Sequence, residues 1–87
     1  MKRRKIRFGK AVRVRWQDSM TQAGWQYNTQ SLGDVALLQS LGYVVGCTPE
    51  ALVLTTSIGS RGGMLDPLSI PWKCIVQLDY VGSEWDR

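Results

Sequence analysis

From Ile6 to Trp16 the chain alternates strictly enough to fix its local geometry. The even positions are Ile6, Phe8, Lys10, Val12, Val14 and Trp16; the odd positions are Arg7, Gly9, Ala11, Arg13 and Arg15. Side chains of a strand point to opposite faces with period two, so this stretch presents one apolar face and one basic face. Helical spacing does not reproduce the pattern. The segment is a strand with a core on one side only. Lys10 interrupts the apolar row, and Gly9 beside it places a bend or bulge there.

The rest of the chain continues in short β-like pieces. Leu41 to Thr48 is rich in β-formers, Thr48-Pro49-Glu50 is a tight turn, and Ala51 to Ile58 puts Leu52, Leu54, Thr56 and Ile58 on one face. The two pieces read as a hairpin. Gly59-Ser60-Arg61-Gly62-Gly63 is a loop. Met64 to Ile70 is a fourth strand, ended by Pro71, which has no N–H to give to a ladder. Lys73 to Val81 is a fifth, with Cys74, Val76, Leu78 and Tyr80 facing one way. Between the first two strands, residues 18–30 are polar and carry Trp25 as one apolar anchor. Ser31 or Asp34 is placed to cap a two-turn helix with Val35, Leu37, Leu38 and Leu41 as its stripe. Five short strands in one small chain predict an all-β fold closed into a barrel, with one short helix in the insertion between strands 1 and 2.

At 87 residues there is room for one core. A domain of this size buries only about 60% of its unfolded surface, so a partner copy would add stability. Three parts follow: a basic arm over 1–5, a β-domain over 6–81, and a polar tail over 82–87. No apolar run is long enough for a signal peptide or a membrane span, which points to the cytoplasm. In that compartment Cys47 and Cys74 are expected to be reduced and buried.

Charge is distributed unevenly. Lys2, Arg3, Arg4, Lys5, Arg7, Lys10, Arg13 and Arg15 all precede the first acid, Asp18; from Asp18 onward there are seven acids and only three bases. This asymmetry points to a phosphate-bearing partner. The competing reading is a solvated strand face with a solubilising tail. Arg13 and Arg15 fall on one strand face roughly 7 Å apart. The glycine loop around Arg61 offers either an anion-binding nest or an ordinary turn. Trp16 alternates with core residues and reads as core. Trp72, at the corner between strands 4 and 5, reads either as an interface residue or as a platform for a base, with Lys73 beside it for a phosphate.

Catalysis finds little here. The chain has no histidine, its serines have no evident activating partner, its acids are scattered, and two isolated cysteines do not make a zinc site. A non-enzymatic binding protein without a cofactor is expected.

The order of these pieces resembles the Sm/LSm fold. Gly9-Lys10-Ala11-Val12-Arg13-Val14-Arg15-Trp16-Gln17-Asp18 is similar to the first Sm strand, Leu52-Val53-Leu54 to the centre of the third, and Leu68 to Leu78 to the second Sm motif. The wording resembles small bacteriophage-encoded Sm-like proteins more than it does the general Sm pattern, through Asp18-Ser19, Gly24-Trp25, Gly42-Tyr43-Val44-Val45 and Ile70-Pro71-Trp72-Lys73-Cys74-Ile75. The resemblance covers about residues 9 to 81. It implies a homo-oligomeric ring in which strand 4 of one subunit pairs with strand 5 of the next, acting in the cytoplasm of a host cell. Taken with the charge asymmetry, it points to nucleic-acid binding, single-stranded RNA first, for which the basic arm and face, the glycine loop and the corner offer Lys2, Arg3, Arg4, Lys5, Arg7, Arg13, Arg15, Arg61, Trp72 and Lys73. The alternative is an accessory protein that counters host defence by sequestering a small nucleotide signal or binding a host protein. The Asn and Arg-Gly that hold uridine in RNA-binding Sm proteins are replaced here by Ala51 and by Pro71-Trp72, so that pocket is not carried over.

Overall fold

The computed structural model describes residues 1–18 and 36–82. Among the described residues five strands make one antiparallel sheet: β1 (Ala11–Asp18), β2 (Ala36–Cys47), β3 (Ala51–Thr55), β4 (Leu68–Pro71) and β5 (Ile75–Tyr80), with a 3-10 turn, Trp72–Cys74, between the last two. Their order is β4-β3-β2-β1-β5. The sheet curls but does not close, because β4 and β5 lie at its two ends and are not paired with each other.

The opening alternation is borne out where it matters. Val12 and Val14 are fully buried, and Arg13 and Arg15 are exposed. Ladder pairing starts later than expected, at Ala11, because residues 8–9 form a turn with Gly9 at φ +87°. Ile6 nevertheless reaches the core, while Phe8 is exposed.

The helix expected to carry Leu37, Leu38 and Leu41 is corrected, while its first stripe residue, Val35, lies outside the described residues. From Ala36 onward the chain is strand, in register with β1 from Asp18↔Ala36 to Ala11↔Tyr43. The proposed helical stripe is split between faces: Leu38 is half-buried opposite Trp16, whereas Leu37 and Leu41 are exposed on the other face. Eight consecutive ladder positions on β1 outweigh a weak local helix preference. Trp25 and the capping residues Ser31 to Asp34 lie outside the described residues.

Two β-bulges bend the sheet around its core. In β2 the register shifts between Val44 and Gly46, leaving Val45 as the extra residue. In β5 it shifts between Gln77 and Ile75, leaving Val76 extra. This second bulge corrects the expected face of β5: Ile75 joins Leu78 in the core and Val76 is exposed, while Tyr80, opposite Val12, keeps the face of Leu78 but lies exposed beside Arg4. β4 is also shorter than expected. Met64 makes only an isolated bridge to Ile58, and Asp66, at φ +44°, turns the chain before Pro67. The loop between β3 and β4 is tied down by the buried Thr55 hydroxyl, which donates to the carbonyl of Leu65 at 2.6 Å and accepts from its N–H at 3.1 Å.

The core comprises Ile6, Val12, Val14, Val44, Leu52, Leu54, Ile70, Trp72, Ile75 and Leu78, with Trp16 and Cys47 packed against it. Both cysteines are free and half-buried rather than fully enclosed.

Candidate nucleic-acid interface

The N-terminal residues form a docked strap rather than a projecting arm. The Met1 ammonium donates to the carbonyls of Trp72 (3.0 Å) and Ile75 (3.2 Å). Arg3 donates from Nη2 to the carbonyl of Cys47 at 2.8 Å, and Arg4 from Nη1 to the carbonyl of Leu78 at 3.3 Å. The Arg4 guanidinium also lies over the Tyr80 ring, 5.8 Å from its centroid. The Cys47 thiol donates to the Arg4 carbonyl, and Ile6 anchors the strap's end in the core. Lys2, Lys5 and Arg7 are exposed along it.

The strap leads through the Gly9 turn into β1, whose outer row carries Arg13 and Arg15. Register places Arg13 between Leu41 on β2 and Asp79 on β5, and Arg15 between Gln39 and Gln77. Arg13 meets the Asp79 carboxylate at 3.4 Å, and Arg15 meets the Gln77 side-chain oxygen at 3.4 Å. Both partners of the Arg13–Asp79 pair are well exposed, and such a surface pair holds its members loosely. A phosphate can compete for Arg13.

The other candidates are placed differently. Trp72 is 4% exposed, packed in the core, and its indole N–H donates to the Thr48 carbonyl at 2.9 Å. A ring enclosed in this way has no free face for a base, which corrects its reading as a platform. The 3-10 turn rotates Trp72 inward and leaves Lys73 exposed. Arg61 is exposed in the loop between β3 and β4, away from β1 in the strand order. Within that loop Gly59 donates to the Gly63 carbonyl at 2.7 Å and Gly62 to the Gly59 carbonyl at 3.0 Å. These two N–H groups close the turn on itself, so they are not offered to an anion.

A feature the sequence reading missed lies on the same outer face. Ala11, Leu41, Gly42, Tyr43, Thr56 and Val81 line a hollow of about 390 Å³. Leu41 and Tyr43 alternate outward on β2 with Leu37 and Gln39, a period-two signal hidden by reading part of that stretch as helix.

The free edges of the sheet differ in chemistry. Trp72 donates to the Glu50 carbonyl, and the register runs through Leu52↔Ile70. Antiparallel alternation therefore turns the backbone groups of Ser69 and Pro71 toward the free side of β4. Proline has no N–H, so that edge offers carbonyls and a single donor, Ser69. On β5, Val81 donates to the Ala11 carbonyl, and Val14 pairs with Leu78. The same alternation turns Leu78 and Tyr80 outward, giving that edge two donors. The Leu78 carbonyl is the one that Arg4 occupies.

Among the described residues no three His, Cys, Asp or Glu side chains gather as metal ligands, and no helix is long and apolar enough to cross a membrane. No protein-family model, curated protein or solved structure matches the chain.

Proposed function

We propose that this protein is a non-enzymatic Sm-like module, built on an open five-stranded sheet, that binds nucleic acid, single-stranded RNA first, through its strap and the outer face of β1. The observation that carries the reading is the placement of the bases. Lys2, Lys5 and Arg7 are exposed on a strap pinned to the fold, and Arg13 and Arg15 continue from it on one exposed row. A pinned track loses less conformational freedom on binding than a free arm would. Its mechanism is phosphate neutralisation with little sequence reading.

Head-to-tail assembly is part of the proposal. β4 and β5 are the two sheet ends. An edge whose one donor is Ser69 can exchange only two bonds with a second copy of itself, which leaves the Pro71 carbonyl unpaired. It complements an edge with donors, which β5 has. A contact between two different edges is heterologous and closes into a ring when its rotation permits. Pairing along β5 requires Arg4 to yield the Leu78 carbonyl.

The test is fluorescence anisotropy of a labelled single-stranded RNA against salt. Binding should weaken linearly on a log–log plot. Replacing Arg13 and Arg15 with Ala should lower the slope by about 1.4, from roughly 0.7 per phosphate on a single strand. Affinity independent of salt refutes the reading. Release of a mononucleotide, rather than RNA, from the denatured purified protein replaces it with sequestration of a small nucleotide.

A further inference from the structure

We infer that the hollow over Ala11 is a nucleobase slot, with Tyr43 as its stacking ring and Arg13 holding the attached phosphate. The inference rests on the nucleic-acid reading above and names a subsite within it.

The hollow has a simple cause. Val81 donates to the Ala11 carbonyl on one side, and Ala11 pairs with Tyr43 on the other, so the three residues form one cross-strand row. Neighbours in such a row have Cβ atoms about 5 Å apart. A methyl between a valine and a tyrosine leaves a gap where the rest of the row stands up. Leu41 and Thr56 complete the walls, and the volume of about 390 Å³ lies within the roughly 300–1,000 Å³ range of small-ligand clefts. Tyr43 is 39% exposed and Leu41 64%, so both present open apolar surface at the site. Thr56 adds a hydroxyl that can donate to or accept from a base edge.

The neighbouring row identifies the occupant. It reads Leu41, Arg13, Asp79 across β2, β1 and β5, roughly 7 Å from the Ala11 row. The next row carries Arg15. An apolar hollow with an exposed tyrosine in its wall, bordered by arginines on one strand, matches a ligand that is aromatic at one end and anionic at the other. An apolar side chain from a protein partner would fill the slot and leave the arginines without a matching charge. Stacking on an aromatic ring tolerates any base, in keeping with the absence of the uridine-holding Asn and Arg-Gly.

The experiment measures affinity for a short single-stranded RNA and for the same backbone with abasic sites, each across a salt series. The parent protein should prefer the base-bearing strand by about fivefold or more, the lower end of what one stacked base contributes. Tyr43→Ala and Ala11→Leu should each erase that preference while leaving the salt slope unchanged, because neither removes a phosphate contact. Tyr43→Phe should keep it. A parent that binds both strands equally, with a normal salt slope, overturns the slot and leaves the nucleic-acid reading standing. Loss of affinity in the arginine variant with no effect of Tyr43→Ala or Ala11→Leu does the same. A parent that binds neither strand at low salt overturns both. The abasic comparison on the parent needs no variant to fold.

Discussion

Gly42→Ala is the sharpest test of how the sheet is packed. Gly42 sits in β2 opposite Val12, and a Cβ built on it would lie 2.8 Å from the Thr55 carbonyl oxygen and 3.4 Å from the Leu54 Cβ. Ordinary carbon contacts lie near 3.5–4.0 Å. The methyl must therefore push β3 away by more than half an ångström. Little can give: the obstacle is backbone, and the adjacent pair Tyr43↔Thr55 holds it to β2. Overpacking of this kind costs about 1–3 kcal/mol. Against it stands the lower entropy of the unfolded chain with alanine, about 0.4–1 kcal/mol. At mid-range the difference is a loss of about 1.3 kcal/mol, between limits of about 0 and 2.6. For a domain of this size each kcal/mol moves Tm by about 4–8 °C, so Gly42→Ala should melt about 5–10 °C below the parent. Gly63→Ala is the control. Nothing lies within 4 Å of its built Cβ, and its φ is not positive, so only the entropic gain remains and Tm should hold or rise slightly. Both are read by thermal circular dichroism, with urea titration to confirm that the m-value is unchanged. Gly42→Ala melting at or above Gly63→Ala would refute the close approach of β3 to β2 at this point.

Trp72→Ala should lose about 3–5 kcal/mol in urea unfolding, the usual range for emptying a core site of this size. Trp72→Phe should lose less and leave RNA affinity unchanged by anisotropy; weaker binding by a folded Trp72→Phe would restore the ring as a platform. Asp79→Asn removes the carboxylate beside Arg13, so RNA should bind more tightly while Tm shifts little, because an exposed pair contributes about 0–1 kcal/mol. Equal or weaker binding would show that Arg13 takes no phosphate. Arg4→Ala frees the Leu78 carbonyl and the side of β5. Sedimentation velocity should show assembly at lower protein concentration than the parent, and a shift the other way would mean that the strap supports the contact instead of covering it.

Period two in the opening segment made β1 legible, since Val12 and Val14 could only face inward if Arg13 and Arg15 faced out. The same logic located Leu52 and Leu54. It failed over Leu37 to Leu41, where one apolar cluster satisfied a helix period and a strand period alike. Pairing with β1 decided between them, and no local signal carries that information. The faces of β5 were misread because a bulge at Val76 advances the alternation by one residue, and a bulge is set by curvature around a core. The base-binding reading of Trp72 failed for a related reason. Its neighbour Pro71 marked a corner correctly, but only packing could say which way the corner turned.

By itself the sequence determined the all-β class, the apolar inner and basic outer faces of β1, and the concentration of positive charge before Asp18. These depend on side-chain alternation and on counting, which are local. Tertiary structure alone decided that the basic segment lies down as a strap, because its anchors are carbonyls of Cys47, Trp72, Ile75 and Leu78, more than forty residues away. It also decided that Tyr43, not Trp72, stands at the surface. Which aromatic rings remain open and which are enclosed depends on how the strands and a turn share one small core, and that balance belongs to the whole fold.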